Sequence, residues 1–209
     1  MNKETSSLSV APASRRKTWY KRPLDLAILF VSHVLMAPLW LGLWLTITVG
    51  ILVLDGRPIF YRKRSYTRGG KVFDALKFRT MVPESDSGPV VWTEERDPRI
   101  TRMGRILRKT ALDELPQVYN ILKGEMSFVG PRALSIRMVE HSADIAPGFD
   151  QRFQVNAGLT GLGQVFGDRI EPVERLQNDM EYIRRMNPGL DIKLLFLSVW
   201  VTFRGKWES

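Results

Sequence analysis

Between Leu26 and Leu54 the chain runs for 29 residues without a formal charge, His33 being taken as neutral. Such a run must meet lipid, because a chain of 209 residues suits only one globular domain plus accessory segments. As one straight helix it would reach about 43 Å, well beyond the roughly 30 Å hydrocarbon core of a bilayer. Two features argue against a simple span. Pro38 lies near the middle, where it removes a helix hydrogen bond and kinks the axis. Both flanks are basic, Arg15, Arg16, Lys17, Lys21 and Arg22 before the run and Arg57, Arg62, Lys63, Arg64, Arg68 and Lys71 after it, so the positive-inside tendency puts both on the cytoplasmic face. A broken helix that enters and leaves through one leaflet meets both constraints, each arm reaching roughly 18 to 24 Å. A kinked spanning helix is the competing reading. A cleavable signal peptide fits less well, since the run is too long and a basic segment follows it.

The chain has no cysteine, which excludes a disulfide framework and a thiolate metal site. Lysine and arginine exceed aspartate and glutamate by 31 to 22, and the resulting +9 attracts anions, whether nucleic acid, acidic lipid or phosphorylated substrates. Met1 to Ser14 is rich in Ser, Ala, Thr and Pro without periodicity and is expected to be a disordered tail.

The densest cluster of chemistry-bearing residues lies between Lys109 and Arg132. Leu115, Val118, Tyr119 and Leu122 recur at helical spacing, and Gly124 is a natural stop. Asp113 and Glu114 then fall near the helix start. Thr110 as cap with Asp113 three residues on would make a capping box; Asp113 as cap leaves Pro116 in the first turn, where its missing N–H costs nothing, and is preferred. Neighbours on a helix project about 100° apart, so these two carboxylates cannot share one proton as a stacked dyad, but they can flank one bound group. A helix start attracts phosphate, and a carboxylate there can attack phosphorus if a divalent cation offsets the repulsion between anions. Acids in a first turn also occur simply as complements to the helix dipole.

Around this stretch, residues 58–62 and 72–78 are expected as short strands flanking Gly69-Gly70, with Lys77 and Arg79 sharing a face. Residues 82–98 read as a surface loop, and Arg99 to Thr110 as a helix with Ile100, Met103 and Leu107 on one side. Ser127 to Arg132 reads as a turn presenting Arg132. The glycines of Gly158-Leu-Thr-Gly161-Leu-Gly163 do not make a dinucleotide loop, since the third glycine of that pattern is missing and no strand clearly precedes them. Arg175 to Met186 is expected as a helix with Asp179 and Tyr182 on one face. Leu194 to Phe203 is too short to span a bilayer and, closed by Arg204, Lys206 and Trp207, suits a membrane surface or a core helix.

Asp113-Glu-Leu-Pro-Gln117, Leu122-Lys-Gly-Glu-Met-Ser-Phe-Val-Gly-Pro-Arg132, the preceding Lys77-Phe-Arg-Thr-Met81 and the following Gly158-Leu-Thr-Gly161 together resemble the bacterial sugar transferase family, the monotopic polyprenyl-phosphate phosphoglycosyl transferases. The resemblance runs from about Lys21 to the C-terminus. It implies a mixed α/β fold, mostly helical with a small sheet, attached to the membrane by a re-entrant N-terminal helix hairpin. It implies transfer of a phosphosugar from a UDP-sugar to polyprenyl (undecaprenyl) phosphate through a covalent aspartyl intermediate, with release of UMP. This is the first membrane step of exopolysaccharide, O-antigen or glycoprotein glycan assembly. By the same resemblance Asp113 and Glu114 are catalytic and hold Mg²⁺, while Lys77, Arg79, Arg108, Arg132 and Asp179 bind substrate. The chain departs from the family pattern at Asn156-Ala157, where Arg-Pro is usual, Arg152 being the nearest alternative cation.

The organisation expected is a basic tail over 1–20, a re-entrant membrane helix over 21–56, a cytosolic catalytic domain over 57–189 and a membrane-interface helix over 190–209. The setting is the bacterial inner membrane with the catalytic domain on its cytoplasmic face. Partners are the UDP-sugar, the polyprenyl phosphate and membrane lipids, without nucleic acid; self-association into a homo-oligomer is left open. The rival classes are a non-catalytic membrane scaffold, which would release no UMP, and a basic nucleic-acid binder, which would not need 29 uncharged residues.

Overall fold

A computed structural model describes residues 18–83, 97–166 and 171–203. Most of the expected 1–20 tail, most of the 82–98 loop and the closing Arg204, Lys206 and Trp207 lie outside them.

The apolar run forms two helices, α1 (Lys21–Leu29) and α2 (Ala37–Leu54), joined through a π-helical turn at Phe30–Val34. Pro38 is not a mid-helix kink: it lies in the first turn of α2, where its missing N–H costs nothing. The break is held by side chains instead. Ser32 Oγ donates to the Ile28 carbonyl at 2.6 Å, Trp40 Nε1 donates to the Ser32 carbonyl at 2.7 Å, and the Trp40 ring stacks on His33 at 4.9 Å. Helix α2 is long and apolar enough to cross a membrane by length and composition, and only 11% of it is buried, unlike the core helix of a soluble domain. Phe30, Val34, Leu35, Leu39, Leu41 and Leu45 are all exposed around the break.

Both ends of the run are sewn into the globular body. At the first, Tyr20 is buried in the main core, and the buried Asp25 accepts from Ser127 Oγ at 2.9 Å and Phe128 N at 3.0 Å. At the second, Ile47 and Ile51 pack with Phe78 and Leu107.

The expected strands are longer than the sequence suggests on one side: β1 (Phe60–Tyr66) pairs antiparallel with β2 (Val72–Phe78). The long connection is accommodated because Gly69 and Gly70 both take φ of 72°, a left-handed conformation that glycine adopts without strain. Helix α3 (Arg102–Lys109) starts later than expected because Thr101 caps it, accepting from Gly104 N at 3.0 Å, while Asp55 accepts from Arg102 N and Met103 N. A single turn at Leu112–Glu114 and α4 (Gln117–Lys123) follow.

Ser127 to Arg132 is only partly a turn. Its first half is the buried strand β3 (Met126–Val129), parallel to β4 (Ala157–Thr160), so the glycine motif is itself part of a strand. A Cβ on Gly158 would collide with the backbone of Gly130, which explains the glycines by close chain approach rather than by a nucleotide. The remaining elements are α5 (Ile136–Ile145), a 3₁₀ turn at Phe149–Gln154, α6 (Leu162–Phe166), α7 (Pro172–Arg185) and α8 (Pro188–Phe203). Among the described residues the architecture is thus mostly helical with two two-stranded sheets. The main core joins Phe73, Ile121, Met126, Val129, Tyr182 and Leu194, from β2, α4, β3, α7 and α8.

Candidate active site

Neither expected helix start is realised at the two acids. Ala111 takes φ of 54°, which ends α3, and Pro116 rather than Asp113 is the cap of α4. Between them the backbone winds with i to i−3 bonds, Glu114 N donating to Ala111 O and Leu115 N to Leu112 O. This tighter winding places Asp113 and Glu114 on a separate short turn facing β2.

The two carboxylates flank one ammonium. Lys77 Nζ lies 2.6 Å from Glu114 Oε1 and 3.4 Å from Asp113 Oδ2, and Arg132 Nη2 lies 3.2 Å from the same Glu114 oxygen. These groups, with Arg108, line a cavity of about 340 Å³. Burial pushes the Asp113 carboxyl above its ordinary range; Lys77 opposes the shift and the Glu114 charge adds to it. Burial would also raise Glu114, but Lys77 and Arg132 more than offset it and hold that carboxyl well below the usual range. Two neighbouring acids are thereby pushed apart, one kept as a permanent anion and one whose charge is less strongly held. Lys77, although desolvated, is kept protonated by the two acids.

Among the other residues singled out from sequence, Arg108 and Arg132 reach the cavity, whereas Arg79 and Asp179 do not line it. Arg79 stands just past the end of β2, is buried, and donates from Nη2 to the carbonyls of Asp55 and Gly56 at 2.7 and 2.6 Å. Its guanidinium therefore serves the chain as it leaves α2 rather than the cavity that Lys77 lines. Asp179 is buried against Arg152, with Oδ2 2.8 Å from Nη2, and that guanidinium also donates to the Arg132 carbonyl at 2.9 Å. The pair thus touches the backbone that presents Arg132. At the family departure, Asn156 Nδ2 donates to the Gly124 carbonyl at 3.0 Å and finishes α4.

Two contributions were not singled out from sequence, Lys63 and the α8 part of the cavity wall. Lys63, in β1 beyond the expected strand end, donates to the Ala133 carbonyl at 2.6 Å; burial first, then the charges of Lys77 and Arg132, push its amine down to about 7. Arg152, the alternative cation of the sequence pattern, is instead the buried partner of Asp179 and does not line the cavity. Thr160, Leu195, Ser198, Val199 and Thr202 complete the cavity wall, and the spacing of the last four at one helical face was the available signal.

For a divalent cation, Asp113 and Glu114 offer two hard oxygen donors, which suits Mg²⁺. Among the described residues no cluster of three or more ligand-type side chains occurs, so the substrate's phosphate oxygens and water would have to complete such a site.

The sequence profile of the family described as bacterial sugar transferase matches residues 16–205. A Xanthomonas campestris pv. campestris protein named UDP-glucose:undecaprenyl-phosphate glucose-1-phosphate transferase is 40% identical over 168 residues, 76% of this chain and 35% of its own length. A protein of the same name from Caulobacter vibrioides is 36% identical over 185 residues, covering 86% of this chain and 68% of its own length. The undecaprenyl-phosphate galactose phosphotransferase of Salmonella typhimurium is 34% identical over 208 residues, 92% of this chain and 42% of that protein. The chain thus spans well under half the length of several curated relatives that it matches.

Proposed function

The chain belongs to the bacterial sugar transferase family, and on that premise we propose that it transfers a phosphosugar from a UDP-sugar to a polyprenyl phosphate of the undecaprenyl type, releasing UMP. The observation that carries the reading is the Lys77 ammonium held between Asp113 and Glu114, with Arg132 on Glu114, in one cavity. The names of relatives divide between glucose and galactose, so the sugar is a question for the assay.

An Asp113 carboxylate oxygen attacks the sugar-side phosphorus, and the bridging P–O bond breaks with its electron pair leaving on UMP. The lipid phosphate oxygen then attacks the aspartyl-bound phosphorus and frees the carboxylate. Lys77, Arg108 and Arg132 supply positive charge to phosphate oxygens on which negative charge accumulates. Glu114, held ionised, keeps Lys77 and Arg132 in place. Mg²⁺ held by Asp113 and Glu114 would neutralise diphosphate charge when bound.

Helices α1 and α2 leave from and return to the same globular body, and the side chains around their junction are apolar and exposed. That arrangement supports a re-entrant hairpin in one leaflet, with the catalytic body on the cytoplasmic face of the inner membrane. The hairpin solves a physical problem: one substrate is soluble, and the other keeps its phosphate at the headgroup plane.

Intact-mass measurement of the purified chain offered a panel of UDP-sugars with Mg²⁺ tests the chemistry. A phosphosugar increment is expected in the native chain and in a Glu181→Gln control, but not in Asp113→Asn. An increment that persists in Asp113→Asn refutes the assignment of the nucleophile.

A further inference from the structure

The cavity has two unlike walls. The elements other than α8 bring the acids and cations together with apolar Leu115, Val118, Phe128 and Leu159; α8 brings a wall of its own, Leu195 and Val199 with Ser198 and Thr202. Even the two polar α8 residues in this wall commit their hydroxyls to their own helix, Ser198 Oγ donating to the Leu195 carbonyl at 2.9 Å and Thr202 Oγ1 to the Ser198 carbonyl at 2.8 Å. A nucleobase or sugar seated against Leu195 and Val199 would lose hydration there and find no free hydroxyl proton on α8, only the Ser198 and Thr202 oxygens as acceptors, so most of its hydrogen bonds would go unrecovered, which is costly.

The wall is also open at one edge. Val199 lines the cavity and yet is 54% exposed, and next to it Phe196 and Trp200 carry the apolar surface onto the outer face of α8. The start of α8 is anchored where the apolar hairpin begins. Asp191, fully buried, takes Lys21 Nζ at 2.7 Å, Tyr20 OH at 3.1 Å and Tyr182 OH at 2.8 Å, and Leu194 enters the core beside it. The wall is therefore tied to the root of the membrane segment.

A ligand that matches both walls has an anionic head and a hydrocarbon tail joined directly to it. We propose that the α8 wall around Leu195 and Val199 seats the first isoprene units of the lipid phosphate acceptor, and that the gap at Val199 is where the tail leaves toward the membrane. This rests on the transferase reading above and adds to it which wall serves which substrate.

The two half-reactions separate the possibilities. In the full chain in detergent, Val199→Asn is expected to affect phosphosugar adduct formation from donor alone much less than the acceptor step. Its KM for farnesyl phosphate, which reports tail contacts without requiring membrane docking, is expected to rise about tenfold, the scale of losing one apolar side-chain contact. Phe196→Asn, outside the cavity lining, is expected to leave that KM in place. An unchanged KM in Val199→Asn, an equal rise in Phe196→Asn, or a slowing of adduct formation that matches the acceptor defect overturns the wall assignment while leaving the transferase reading standing. A native chain that forms no adduct with any UDP-sugar overturns both.

Discussion

The Arg152–Asp179 pair offers a way to separate stability from catalysis. Both side chains are buried, Arg152 at 1% exposure, and their closest atoms are 2.8 Å apart. In Arg152→Met, Asp179 becomes a buried acid without its main partner, which typically costs 3 to 5 kcal/mol. Buried Arg175 also opposes the Asp179 charge, so the lower end, about 3 kcal/mol, is expected. For a chain of this size that corresponds to a fall in Tm of about 6 to 12 °C. In the double variant Arg152→Met/Asp179→Leu the stranded carboxylate is gone, although buried Arg175 then lacks the Asp179 charge, and Tm is expected to recover part of the loss. Activity is not expected to recover with it. The Arg132 carbonyl still lacks its donor, a charged hydrogen bond worth about 1.5 to 3 kcal/mol, and if half of that reaches the aim of Arg132 at Glu114 the rate falls roughly 4- to 12-fold. Differential scanning fluorimetry and single-turnover adduct formation on the same preparations read the two effects. Recovery of both Tm and rate in the double variant would show that the pair is only structural and would refute the reasoning; so would a single variant as stable as the native chain.

Three further outcomes follow from the same geometry. Attack needs ionised Asp113, whose carboxyl burial holds high, so adduct formation should fall as the pH drops through a value above the ordinary carboxylate range; Lys77→Met, which removes an opposing cation, should move that limb higher still, and a limb at the ordinary aspartate position would contradict the site's electrostatics. Lys63 is depressed to about 7, so from there to its unfolded value the unfolded chain binds more protons and the native chain gains stability with rising pH; chemical denaturation at pH 6 and pH 9 should therefore show the stability difference moving in favour of the native chain over Lys63→Met at the higher pH. Arg79→Met should lower Tm through loss of the bonds to the Asp55 and Gly56 carbonyls, while single-turnover adduct formation by the folded fraction stays within about twofold of native, since Arg79 does not line the cavity.

The sequence determined what is local or compositional. An uncharged run too long for a small core had to become exposed apolar helix. Apolar spacing from Leu115 to Leu122 with Gly124 after it had to make α4, and strands had to flank Gly69-Gly70, because these follow from periodicity and backbone freedom over a few residues. The motif order also carried the family, and with it the expectation that Lys77 and the two acids share one site, though not that Lys77 bridges the acids. What only the tertiary structure decided depends on which segments meet. Arg79 and Asp179 look like substrate ligands in the chain because charge alone does not say whether a side chain faces a cavity, a buried carbonyl or a buried opposite charge. Pro38 looks like a kink because a proline in mid-run and a proline in a first turn differ only by a break held by Ser32 and Trp40. The α8 face at Leu195 and Val199 became a cavity wall because Lys21, Tyr20 and Tyr182, each more than eight positions from Asp191 in the chain, converge on that one buried carboxylate, and such long-range convergence leaves no period in the sequence to read.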